Sequence, residues 1–172
     1  MSKRVAITGA PGVGKSTLIR RVLHRLGCRA GGVLAREVRI DEKRVGFEIK
    51  DILTGEAGTL ASIEGEGPRL GRYRVNLHDL ERIGVRAVER AVRETDLVVI
   101  DEVGPMELFS DDFVEAVEAA LGSDKPMLVV VHLKSRHHLA KRIREEFALF
   151  VVTEKNRDDL AEAITSEFVS LM

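Results

Sequence analysis

Apolar positions along the chain alternate between two spacings. Val5-Ala6-Ile7 is a short, largely β-branched run that leads into a glycine-rich stretch. After it, Leu18, Ile19, Val22, Leu23 and Leu26 recur at helical spacing, with Gly27 as a stop. The spacing predicts a strand, a tight loop and a helix. Residues 33 to 75 change character: short alternating segments surround Asp41-Glu42-Lys43, Thr54-Gly55 and Gly65-Glu66-Gly67-Pro68, a pattern of strands joined by turns. An antiparallel insertion is expected there. From Leu77 to Arg93 helical spacing returns through Leu80, Ile83, Val88 and Val92, followed by Leu97-Val98-Val99-Ile100, a continuous run suited to a strand covered on both faces.

Three further alternations follow. A helix is predicted over roughly 111 to 121, started by Ser110 and stopped by Gly122, then a strand from Met127 to Val131 and a helix from about Arg136 to Glu146. The last strand is expected over Leu149 to Val152. The last helix is expected from about Arg157, with Asn156 as N-cap and Asp158 and Asp159 in its first turn. Strands alternating with helices predict an α/β fold of three layers, a mainly parallel sheet carrying the antiparallel strand insertion at about residues 33–75. No repeat, low-complexity segment or linker divides the 172 residues, so one domain is expected over residues 1–172.

Composition narrows the setting. The 27 Lys and Arg against 28 Asp and Glu leave a net charge of -1, so no overall field draws the chain to nucleic acid or to an anionic membrane. A lone Cys28 forms neither an internal disulfide nor a cysteine-based zinc site, which suits a reducing compartment. The N-terminus has too short an apolar run for a signal peptide, and no run approaches the ~20 residues that span a bilayer. A cytoplasmic protein is expected. Glutamine is absent and Asn occurs only at Asn76 and Asn156, while Arg and Glu are abundant, as in proteins of thermophiles.

The chemistry lies in two motifs. Gly9-Ala10-Pro11-Gly12-Val13-Gly14-Lys15-Ser16 matches G-x-x-x-x-G-K-[ST] at every fixed position, between an expected strand and an expected helix. Such a P-loop turns its backbone N–H groups inward, and the helix after it presents its positive end to an anion. Lys15 is expected to reach the β and γ phosphates of a nucleotide, Ser16 to ligate Mg²⁺, and Thr17 to sit near the α phosphate. The second motif is Asp101-Glu102, which closes the apolar run from Leu97. Asp101 ends a buried strand at the carboxyl edge of the sheet, where ligands bind in this architecture, and is expected to hold Mg²⁺ in the manner of a Walker-B aspartate. Glu102, one residue past the strand end, is placed to take the proton of an attacking water.

Other signals are weaker. An arginine that reaches the γ phosphate would spread transition-state charge, and Arg36, Arg39, Arg136 and Arg157 are candidates that spacing does not separate. A solvated ion-paired arginine is the commoner fate of each. Asn156 and Arg157 follow the last strand, where a base or ribose could lie, although helix capping explains the asparagine equally. The basic stretch Lys134 to Arg144 resembles a nucleic-acid patch or a kinase lid, but Leu139 and Ile143 at i and i+4 favour one face packed on the sheet with a charged face outward. His137 and His138 are adjacent, not at the i, i+4 spacing of a helical metal pair. Tyr73 is the only tyrosine and tryptophan is absent, so aromatic interleaving for single-stranded nucleic acid is lacking.

The string Asp101-Glu102-Val103-Gly104-Pro105-Met106-Glu107-Leu108, with Gly31-Gly32, Arg44-Val45-Gly46-Phe47 and Asn156-Arg157-Asp158, resembles the small archaeal and bacterial P-loop nucleoside-triphosphatases related to the human cancer-related NTPase. The chain departs from that pattern at Val33-Leu34-Ala35-Arg36, where the family often carries an aromatic residue and a threonine. The resemblance implies slow, Mg²⁺-dependent hydrolysis of ATP, GTP and other nucleoside triphosphates, and of diphosphates less well. Two other readings use the same phosphate grip: a nucleotide or small-metabolite kinase with its acceptor near the insertion, and a binding protein gated by nucleotide state.

Overall fold

The computed structural model describes residues 3–172. In chain order its regular elements begin with β1 (Arg4–Gly9), α1 (Lys15–Leu26), β2 (Ala30–Ile40), β3 (Lys43–Asp51), β4 (Ala57–Ser62), β5 (Arg69–Leu70) and β6 (Tyr73–Val75). Then come α2 (Leu77–Asp79), a π-helical stretch Leu80–Val85, α3 (Arg86–Glu94), β7 (Leu97–Val103), α4 (Asp111–Leu121) and β8 (Met127–Val131). The chain finishes with α5 (His138–Glu146), β9 (Ala148–Val152) and α6 (Arg157–Glu167).

Among the described residues nine strands form one sheet in the order β5-β6-β4-β3-β2-β7-β8-β1-β9. The strands from β2 to β9 in that order pair in parallel, whereas β2 with β3, β3 with β4, β4 with β6 and β6 with β5 are antiparallel. The expected fold is therefore present, and the antiparallel wing runs from Val33, opposite Asp51, to Val75, opposite Ala61. Alternate side chains of the parallel strands feed two cores. Val5, Ile7, Val99 and Val130 pack with α1 and α6, while Ala6, Val98, Ile100 and Val129 pack with α3, α4 and α5. Strands buried on both faces can be apolar at every position, which is why these runs lack alternation. Each fully buried aliphatic side chain contributes about 1.5–3 kcal/mol, so the central strands anchor whatever sits at their carboxyl ends.

β2 serves both parts of the sheet. Its first residues pair with β7, Gly32 opposite Val99, and a Cβ on Gly32 would collide with the Val99 carbonyl. Gly32 also has φ +118°, so glycine alone fits. The sequence reading began strand structure at Val33 and missed this crossover.

Other boundaries differ. The helix expected over Leu77 to Arg93 is helical throughout, but its middle turn is π, with Gly84 against Ile49, Leu80 and Phe113. α5 begins at His138, not Arg136, because His137 takes the N-cap position and its Nδ1 accepts the Leu139 N–H at 3.1 Å. Asn156 does not cap α6 with its side chain: Oδ1 accepts from Thr153 N and Nδ2 donates to Val151 O, a closed loop at the end of β9. Among the described residues no helix is long and apolar enough to cross a membrane.

Candidate active site

The carboxyl ends of β1, β7 and β8 and the upper part of β2 and β3 enclose a cavity of about 310 Å³. The loop after β1 forms one wall. Gly12 and Gly14 have φ +76° and +106°, angles that let consecutive backbone amides turn inward. Gly9 is needed for space, since a Cβ there would lie 2.8 Å from the Val152 carbonyl oxygen. Val13 is buried, and Leu18 N–H donates to Gly14 O at 2.9 Å, so α1 starts directly from the loop. Lys15 Nζ donates to Gly9 O at 2.8 Å, folding over the loop toward the cavity. Ala10 is an exposed loop residue, and Thr17 is exposed in the first turn of α1 outside the cavity lining.

Asp101 and Glu102 come from β7. Both lie inside the strand, which continues to Val103, rather than at and past its end as the sequence suggested. In a regular strand neighbouring side chains face opposite sides. Here the register against β8 slips between Asp101, opposite Val130, and Val103, opposite Val131, leaving Glu102 as the extra residue. The Asp101–Glu102 peptide bond is cis. A slip in register of this kind re-aims side chains, and both acids line the one cavity. Ser16 Oγ donates to Asp101 Oδ2 at 2.7 Å, joining the loop to the acidic strand across 85 positions of sequence.

Burial dominates the electrostatics. Asp101 is 5% exposed, and its loss of water, with Glu102 beside it, pushes its carboxyl up to about 6, against the pull of the Ser16 hydroxyl and of Lys15. Glu107, 3% exposed, is driven well above the ordinary carboxylate range by burial first and by Glu102 next, while backbone N–H groups of Glu107 and Gly104 bond it. Burial thus favours the protonated form of Glu107 in the cavity wall.

Of the arginines considered from sequence, Arg36 lines the cavity and is held by Glu48 through two bonds of 2.9 and 3.1 Å. Arg157 lies outside it, against the Cα of Gly14, donating to Val13 O at 3.3 Å, so it backs the loop. Arg39 bonds Glu37 and the Glu42 carbonyl, and neither Arg39 nor Arg136 lines the cavity. Four ionisable cavity residues were not singled out from sequence for the site: Glu37, Arg44, Glu107 and His132. His132 follows the five buried residues of β8, the same signature that located Asp101 after Leu97–Ile100. The basic stretch through α5 is a paired outer face, with Arg142 on Glu146, His138 on Glu118 and Arg144 on backbone carbonyls. Among the described residues no group of three or more His, Cys, Asp or Glu side chains is arranged to hold a metal by itself.

An anion cradle on a strand–loop–helix turn, facing a buried strand that delivers two carboxylates to the same cavity, defines a P-loop nucleotide-binding protein. The family model described as NTPase matches residues 4–165, and the chain belongs to that family of hydrolases. It is 52% identical over 170 residues to nucleoside-triphosphatase THEP1 of Methanosarcina acetivorans, covering 96% of this chain and 97% of the relative. The THEP1 of Thermofilum pendens is 43% identical over 180 residues, covering 99% and 98%. Among solved structures, THEP1 from the hyperthermophile Aquifex aeolicus matches with TM-score 0.86 and 34% identity, over 95% of this chain and 97% of that one. A human cancer-related nucleoside triphosphatase matches with TM-score 0.78 and 32% identity, over 96% of each chain.

Proposed function

We propose that this protein hydrolyses ATP, GTP and other nucleoside triphosphates to the diphosphate and phosphate, with Mg²⁺ and little choice among bases, and acts on diphosphates less efficiently. The observation that carries this reading is the 2.7 Å contact of Ser16 Oγ with Asp101 Oδ2, inside a cavity that Lys15 and Glu102 also line. A hydroxyl and a buried carboxylate form a hard-oxygen pair suited to Mg²⁺, which is commonly bound by one or two protein oxygens with substrate phosphates completing its shell. The elevated Asp101 carboxyl fits the same role, because a site whose charge is poorly solvated gains most from a cation. Ser16 and Asp101 would hold the ion, which would supply neutralisation of phosphate charge.

The residues then divide the work. The loop amides from Gly9 to Thr17 grip the phosphates, and Lys15 leaves its Gly9 carbonyl to pair with the β and γ oxygens. Glu102 accepts a proton from a water whose oxygen bonds to the γ phosphorus, as the bond from that phosphorus to the bridging oxygen breaks. The bridging oxygen leaves with the diphosphate. Glu107, whose burial favours its protonated form, lines the same cavity wall as Glu102. Base tolerance follows from where the contacts lie, since the residues with identifiable roles all face phosphate.

Transfer to another acceptor, the kinase alternative, is not favoured by relatives that are named nucleoside-triphosphatases. The test is phosphate release from a panel of triphosphates without added acceptor. Lys15→Ala is expected to abolish turnover and weaken nucleotide binding, whereas Glu102→Gln should retain binding and lose about 10²–10⁴-fold in kcat. Equal kcat for wild type and Glu102→Gln would remove Glu102 from the reaction.

A further inference from the structure

A second cavity, of about 280 Å³, opens on the other side of Ser16 and Asp101. Its walls follow from simple periodicities. Ser16 and Arg20 stand at i and i+4 on α1, so both project from one helix face. Opposite them, Arg36 pairs across the sheet with Glu48 and Leu34 with Lys50, which puts all four on the sheet face that α1 covers. Gly55 and Ala57 close the rim.

Its charges are unequally satisfied. Glu48 is occupied by the two-bond contact with Arg36, and Asp101 accepts from Ser16. Arg20 and Lys50 make no hydrogen bond or ion pair with any described residue. Lys50 and Arg20 thus face the cavity with no bonded acid of their own, Arg20 acting on Asp101 only through its charge, and with Arg36 they outnumber the two acids, Glu48 and Asp101, three to two, an arrangement that attracts an anion carrying several oxygens. The cavity meets the nucleotide cavity along Ser16, Ala35, Arg36 and Asp101, so an anion there would be neighbour to the γ position and not to the remainder of the nucleotide.

We propose that the cavity between α1 and the β2–β3 hairpin is a second anion site, which receives inorganic phosphate while the nucleoside diphosphate is still held by the P-loop, with Arg20 and Lys50 as its ligands. This rests on the hydrolytic reading above. It gives the cleaved phosphate a place that does not require the diphosphate to leave first.

Calorimetric titration of inorganic phosphate into the full-length protein saturated with ADP and Mg²⁺ tests it. Phosphate is expected to bind without displacing ADP, and by linkage to tighten ADP binding by the same factor that ADP tightens phosphate. Lys50→Ala and Arg20→Gln, both at exposed positions, should each weaken phosphate by about tenfold, the loss of one charge-assisted contact, with ADP affinity unchanged. Displacement of ADP by phosphate, absence of a ternary complex, or variants that bind phosphate as wild type does would each overturn the second site. A nucleoside monophosphate that binds the ADP complex in place of phosphate would overturn it too, marking an acceptor pocket instead. Hydrolysis rates of the same preparations separate the two readings: active enzyme without a ternary complex sinks only this site, while absent hydrolysis sinks the proposed function.

Discussion

Asp101 concentrates the conflict between burial and charge at a single residue. A carboxyl raised from 3.8 to about 6 by burial is protonated more readily in the folded than in the unfolded chain. Its contribution to stability is therefore complete below its unfolded value and is lost as pH rises through the folded one. The size of the shift corresponds to about 3 kcal/mol. In chelator, Asp101→Asn should melt above wild type at about pH 8, and the gap should close as pH falls toward about 4. A variant less stable than wild type at high pH would mean that the Ser16 contact outweighs desolvation. The sequence marked this residue because it ends a buried strand at the carboxyl edge of the sheet in a chain that also carries a P-loop. Glu107 carried no such mark: its burial comes from the turn after β7, and a lone glutamate between Met106 and Leu108 looks the same whether buried or exposed. The slip in register that brings Glu102 to the same side as Asp101 was equally hidden, because alternation predicts opposite faces.

Elements whose ends are written in local side chains were readable, and those set by distant contacts were not. α4 begins and ends where sequence places it, because Ser110 Oγ accepts the Phe113 N–H at 3.1 Å and Gly122 follows the last turn. Ser110 is itself 2% exposed, so its loss also strands a buried amide. Ser110→Ala is expected to cost about 1–2 kcal/mol, lowering Tm by roughly 2–8 °C in calorimetry, with kcat unaffected. An unchanged Tm would mean that water or another group takes over the cap. The start of α5 was misjudged because Ser135 and His137 bond neighbouring backbone N–H groups, a local competitor of helix that periodicity does not register. The π turn at Leu80–Val85 was likewise unreadable, since Gly84 owes its place to Ile49 and Phe113 from other elements.

Across the whole molecule, the parallel core supplies the phosphate loop and the acids, and the antiparallel wing supplies Arg36, Glu37, Arg44 and Phe47 to the same cavity. The core was legible because each of its strands is apolar on both faces. How the wing reaches the cavity was not, because β2 belongs to both parts and only a glycine against Val99 lets it do so. A nucleotide bound there as proposed would touch two parts of the sheet at once, so ligand binding should register as global stability. A non-hydrolysable triphosphate analogue with Mg²⁺, at about 100 times its Kd, is expected to add about 2.7 kcal/mol, and Tm should climb by roughly 5–10 °C. Adenine, guanine, cytosine and uracil analogues should give superimposable curves of Tm against concentration if phosphates carry the binding. One base displaced by about tenfold in concentration would instead place a discriminating group beside the base. Lys15→Ala should move all four curves to higher concentration together if, as proposed, the lysine pairs with the phosphates that every triphosphate shares.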